Sequence, residues 1–178
     1  LSTHQALKKV GAIIERPNFY PYMTAYQNLK LVCKIKGVSY DSIELHYHQF
    51  GQAIGNAPVV LVNHSLTGDS IVCGEKGWWN EIIGEGQTID TNHYTILAFN
   101  IPGNGMLGQT FSSPKDFHAG DVAALFLVGL KVLGITNLFA LIGGSIGGGI
   151  AWEMAALAPK LTRFLIPVAA DWKANDWI

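Results

Sequence analysis

Apolar and polar positions over residues 43–178 fall into short runs of two kinds, separated by glycine-bearing turns. Ile43-Glu44-Leu45-His46-Tyr47-His48-Gln49-Phe50 alternates, which is the period of a half-exposed strand. Pro58–Asn63 and Tyr94–Phe99 are instead almost continuously apolar, the pattern of strands covered on both faces. Between them, after a glycine-bearing loop, Trp78–Ile83 is expected to form a short helix. Residues 120–133 read as a buried amphipathic helix that leads through Gly134 to a strand over 137–142. A helix over 148–158 and a last strand over 161–169 follow. Strands alternating with helices predict an α/β fold with a mostly parallel sheet flanked by helices, and ligands at the carboxyl ends of its strands.

Residues 1–42 have a different pattern. Thr3–Ile14 and Thr24–Lys36 read as two helices around an aromatic, proline-rich loop, a helical hairpin with Thr24 as an N-cap and Gly37 as a stop. The aromatic side chains Phe19, Tyr20 and Tyr22 are read as hairpin core. Charge changes with the pattern: residues 1–44 hold six Lys/Arg against three acids, and the remainder six against ten. The step from +3 to −4 suggests two origins, and the expected division is a helical segment over 1–42 and an α/β core over 43–178.

The chemistry concentrates in Gly143-Gly144-Ser145-Ile146-Gly147-Gly148-Gly149, which follows the apolar run 138–142 and opens the helix after it. Strand, Gly-x-Ser-x-Gly, helix is the setting of a nucleophile elbow. The turn is so sharp that side chains at Gly143 and Gly147 would strike neighbouring elements, and Ser145 is held in a strained conformation with its hydroxyl above the sheet edge. Ser145 is therefore the expected nucleophile. The backbone N–H of Ile146 is the expected first oxyanion donor, aided by the free N–H groups of the helix's first turn. The second is expected from the loop His64-Ser65-Leu66-Thr67-Gly68, where counting from the strand end selects the Leu66 N–H. His64 is read as shaping this loop by hydrogen bonds and not as the base. All six histidines precede Ser145, whereas a hydrolase elbow of this order expects its acid and histidine to follow it. Asp171 and Asp176 do follow, just past the last strand, either to orient a histidine or to cap a helix.

Residues 43–178 resemble the N-terminal half of homoserine O-acetyltransferase, a member of the α/β-hydrolase superfamily. The resembling stretches are Leu61–Gly68, Gly74–Trp79, Ile89–Thr91, Ala98–Gly105 and Gly143–Gly148. The resemblance implies transfer of an acetyl group from acetyl-CoA to the homoserine hydroxyl through an acyl-serine on Ser145, with Leu66 and Ile146 as oxyanion donors. It also implies that a helical lid, the catalytic aspartate and the histidine come after the strand ending near Ala170. Catalysis by these residues alone is thus expected to be impaired. Residues 1–42 resemble an internal piece of an ABC-transporter ATP-binding subunit, through Val10–Tyr22 and Gln27–Leu31, with Glu15 near the glutamine loop. Gly-x-x-x-x-Gly-Lys-Ser/Thr occurs nowhere in the chain, so no ATPase activity is expected of that segment. The pairing of the two resemblances is that of a chimera. A non-catalytic chimeric scaffold and a transporter-ATPase fragment are the alternative readings.

Composition narrows the remainder. Apolar residues make up 49% of 178 and charged residues 14%, with a net charge of −1, which suggests neither nucleic acid nor an anionic membrane as partner. The apolar stretch Val122–Leu133 is broken by Gly129 and Lys131 and is too short to span a bilayer. Cys33 and Cys73 lie far apart with no metal-type spacing and are read as reduced thiols of a cytoplasmic protein. The His46/His48 pair lacks a third ligand, so no metal is expected, and no cofactor beyond acetyl-CoA as co-substrate. The partners expected are a small acyl donor and acceptor. Exposed sheet edges further lead us to expect a homo-oligomer.

Overall fold

The computed structural model describes residues 45–105 and 118–172. The helical hairpin expected over 1–42, its transporter-like resemblance, Cys33 and Asp176 lie outside the described residues.

Among the described residues seven strands and two helices follow in the order β1 (Tyr47–Gly51), β2 (Val59–Asn63), β3 (Ile83–Gly84), β4 (Ile89–Asp90), β5 (Thr95–Phe99), α1 (Ala119–Val132), β6 (Leu138–Gly144), α2 (Ile146–Leu157) and β7 (Thr162–Val168). Five strands form one sheet in the order β1-β5-β2-β6-β7. β1 is antiparallel to β5, and the other neighbours are parallel. β3 and β4 make a small separate parallel pair. The mostly parallel α/β architecture expected from the hydrophobic pattern is present.

The two strands that read as continuously apolar, β2 and β5, are central, and every residue in them is buried. One sheet face carries Leu61, Leu97, Phe99 and Leu141 against Val122, Phe126 and Leu130 of α1 and Ile150, Ala151 and Met154 of α2. The Phe99 and Phe126 rings lie 5.0 Å apart between centroids. Gly129 lets α1 come this close: a Cβ there would stand 2.8 Å from Phe99 Cζ and 2.7 Å from Leu45 Cδ2. The other face carries Val60, Val62, Ile96, Ala98, Ala140 and Ile142, packed against Val72, Ile83, Trp78 and Trp79.

Trp78–Ile83 is where the local pattern misleads. No helix forms there; the segment is a run of turns ending in β3, with the Ile82 and Ile83 N–H groups both bonded to the Trp79 carbonyl. Tertiary demands account for the difference. Trp78 Nε1 donates to the Asp69 carbonyl, both indoles lie against the sheet, and Ile82–Gly84 bonds to Ile89 and Thr91.

At the opposite margin, β7 pairs only with β6 among the described residues. Phe164, Ile166 and Val168, in register with Ala140, Ile142 and Gly144, remain partly exposed. Among the described residues no helix is long and apolar enough to cross a membrane.

Truncation on the α1 face should separate core from surface. Phe126→Ala is expected to lower stability by about 3–5 kcal/mol in urea denaturation. Val132→Ala, at a side chain 81% exposed, should change it by less than about 0.5 kcal/mol.

Candidate active site

β6 and α2 meet with a single residue between them. That residue, Ser145, has φ 53° and ψ −121°, a conformation that glycine adopts freely and an L-residue only under strain of about 1–3 kcal/mol. Its backbone is fixed on both sides. Its N–H donates to the Val168 carbonyl at 2.9 Å, and its own carbonyl accepts from the N–H groups of Gly148 and Gly149 at 2.9 and 3.2 Å. The side chain is exposed. A serine so placed keeps its hydroxyl off the sheet and in solvent reach.

Three of the surrounding glycines have no room for a side chain. A Cβ on Gly143 would lie 2.6 Å from the Gly148 nitrogen, and one on Gly147 would lie 2.5 Å from the His64 carbonyl oxygen. At Gly148 it would run into the Ala170 methyl beyond β7. Gly149 faces open space, and Gly144 meets only the edge of Trp79 at 3.9 Å. The sequence pattern singles out Gly143 and Gly147; the demand at Gly148 arises from chain beyond β7 and has no local signal.

The β2 loop reaches the same place because β2 and β6 are parallel neighbours, with Asn63 in register with Gly143. Their carboxyl ends therefore stop at one level, and the loop carrying Leu66 starts beside the first turn of α2. Leu66 turns its side chain outward, 68% exposed, and the Gly68 N–H closes the loop on the Ser65 carbonyl at 3.0 Å. Helix geometry leaves the N–H groups of Ile146 and Gly147 without intrahelical acceptors. The loop with Leu66 and the helix start with Ile146, the candidate donors, thus both follow the carboxyl ends of adjacent strands, as Ser145 does.

His64 is fully buried, with both ring nitrogens engaged. Nδ1 donates to the Ser65 carbonyl at 2.7 Å, and Nε2 accepts from the Ile101 N–H at 2.9 Å. These two bonds fix the neutral tautomer and tie the β2 loop to the loop after β5. Burial holds the imidazole pKa below its usual value, with the Ser65 hydrogen bond and the nearby Asp69 charge pulling weakly the other way. His64 therefore shapes the loop and has no free nitrogen with which to take a proton from Ser145.

Other histidines are placed elsewhere. His48 Nδ1 meets Ser70 Oγ at 2.8 Å, and His93 lies 3.7 Å from Asp90. His118 precedes α1, its N–H bonded to Asp121 at 3.0 Å. His46 precedes β1, with β5 and β2 between that strand and β6. Asp171 accepts the N–H of Trp172 at 2.8 Å. Among the described residues no group of three or more potential metal ligands occurs. An apolar depression of about 400 Å³, lined by Thr136, Ala158, Pro159, Lys160 and Leu161, opens at the amino-terminal ends of β6 and β7, away from Ser145.

The alpha/beta hydrolase fold model matches residues 58–176, which takes in β2 through β7 and the elbow. The chain belongs to this family. Among alpha/beta hydrolases it is similar to homoserine O-acetyltransferases. That of Methanocorpusculum labreanum is 34% identical over 167 residues, covering 83% of this chain and 34% of the relative. That of Corynebacterium efficiens is 31% identical over 156 residues, covering 79% and 41%. In three dimensions the chain is similar to the homoserine O-acetyltransferase from Staphylococcus aureus, with a TM-score of 0.67 and 29% identity over 77% of this chain and 43% of that one. Esterase E22, at 24% identity and a TM-score of 0.67, shares the fold. The chain spans 34% to 41% of the length of these two curated relatives.

Two measurements follow from this geometry. Gly147→Ala should cost about 2–3 kcal/mol by forcing backbone apart, whereas Gly149→Ala should be neutral or stabilise by up to about 1 kcal/mol through helix propensity. Because His64 binds a proton less readily folded than unfolded, its contribution is fully present above about pH 6.5 and falls as pH drops below that value. The urea midpoint should therefore decline between pH 7.5 and 5.5 more steeply in the wild type than in His64→Gln, which keeps an acceptor for Ile101 and does not titrate.

Proposed function

We propose that this chain forms the nucleophile-bearing part of an acyltransferase of the homoserine O-acetyltransferase kind, with acetyl-CoA as donor and the homoserine hydroxyl as acceptor. The observation that carries the reading is Ser145, held at φ 53° between β6 and α2 with its side chain exposed. Sequence similarity to homoserine O-acetyltransferases at 31–34% identity supports the substrate class.

In the proposed reaction, Ser145 Oγ attacks the thioester carbonyl carbon. The carbonyl oxygen takes the negative charge and is met by the N–H groups of Leu66 and Ile146. Collapse breaks the carbon–sulfur bond, releases CoA as its thiol and leaves acetyl-Ser145. The homoserine hydroxyl then attacks that ester, and the serine oxygen departs with a proton. Both steps need a base to move the proton. His64 is committed to its loop, so the base comes from beyond the described set, and these residues alone react slowly. Removing a triad partner leaves a residual rate from the oxyanion hole and binding, lower by several powers of ten.

A non-catalytic scaffold that keeps the elbow as inherited architecture is the second reading; the engagement of both His64 nitrogens favours it for the isolated chain. Intact mass after treatment with a serine-directed fluorophosphonate separates the two. A single adduct, absent from Ser145→Ala, is the result expected of an activated serine. An unlabelled, folded wild-type protein would reject the acyltransferase reading for this chain.

A further inference from the structure

β2 ends in a polar residue where its other four positions are apolar. Asn63 is fully buried, and its amide reaches across 84 residues of sequence: Nδ2 donates to the Gly147 carbonyl at 3.3 Å and contacts Met154 Sδ at 3.8 Å. Its Oδ1 is buried with no hydrogen-bond partner among the described residues. Turning the amide over would place Oδ1 against the Gly147 carbonyl oxygen, so the orientation is set by the helix and the unpartnered oxygen is its consequence.

An unpartnered buried carbonyl destabilises a fold. The Gly147 carbonyl gains nothing it lacks from Asn63, since within α2 the amide four residues on already reaches it. An apolar side chain would therefore suit this position better on stability grounds alone. Polar groups kept against local stability concentrate where a site must be positioned.

We propose that Asn63 is a positioning residue for the elbow. Its amide holds the Gly147 carbonyl in the first turn of α2, the turn that also carries the Ile146 N–H, and so ties that turn to the end of β2, where the Leu66 loop begins. One side chain thereby sets the spacing of the two oxyanion donors. The link to chemistry rests on the acyltransferase reading above; the mechanical link does not.

The test compares wild type with Asn63→Val and Asn63→Ala by thermal denaturation and by amide hydrogen exchange over Ile146–Ile150 and over α1. The expected result is a Tm at or above wild type, exchange roughly fivefold faster in the elbow segment, and unchanged exchange in α1. A lower Tm with exchange raised equally in both segments, or failure of both variants to fold, would make Asn63 an ordinary structural residue and overturn the proposal. Unchanged exchange at the elbow would overturn it too. Fluorophosphonate labelling provides the separate arm. With a reactive wild type, the variants should label more slowly, and equal rates would overturn the role in chemistry. An unreactive wild type would reject the acyltransferase reading and leave the exchange result standing as the test of the mechanical link.

Discussion

At the elbow the chain packs without room for side chains. Gly143, Gly147 and Gly148 lie where β6, α2, the end of β2 and the chain after β7 converge, and none of them has space for a methyl group. Packing this tight lets a strand turn into a helix through one residue, and it places that residue in a conformation serine would not choose. The cost is distributed. The three glycines at the start of α2 weaken it by about 1 kcal/mol each relative to alanine, and Ile150, Ala151 and Met154 offset this by burial against the sheet. The helix is thus held by the sheet more than by its own sequence.

Much of this was readable in the residues because local and tertiary demands agree there. β2 and β5 are central and continuously apolar, so their pattern carries their burial; α1 and β6 fall within two residues of their expected limits. The elbow was legible because its glycines answer a steric demand within a few residues of Ser145. Legibility failed where a residue's role is set from far along the chain. Trp78 and Trp79 have a helix-like spacing but are claimed by the sheet and by Asp69. Asn63 reads as the last residue of a strand, and nothing near it in sequence announces a bond to Gly147. The His64 pair of bonds could be anticipated in kind, since a histidine in such a loop shapes it, but the placement of the Ile101 N–H donor depends on the loop after β5.

Fold and chemistry separate cleanly in this chain. A serine on a strained turn, with the proposed donors Leu66 and Ile146 on the two segments that follow β2 and β6, would serve to stabilise negative charge and not to move protons. The chain spans 34% to 41% of the length of the two curated relatives; in the proposed reaction the charge-stabilising roles fall to Leu66 and Ile146, and the proton-transfer role to no described residue.

The anchoring of Ser145 to Val168 has a dynamic side. Its amide is held by the last residue of β7, a strand with one described neighbour and a row of half-exposed side chains. Edge strands open more readily than central ones. Fraying at the carboxyl end of β7 releases the serine backbone as well, so the lifetime of the strained turn is tied to the residence of the outermost described strand. Whatever protects that edge also keeps Ser145 in place.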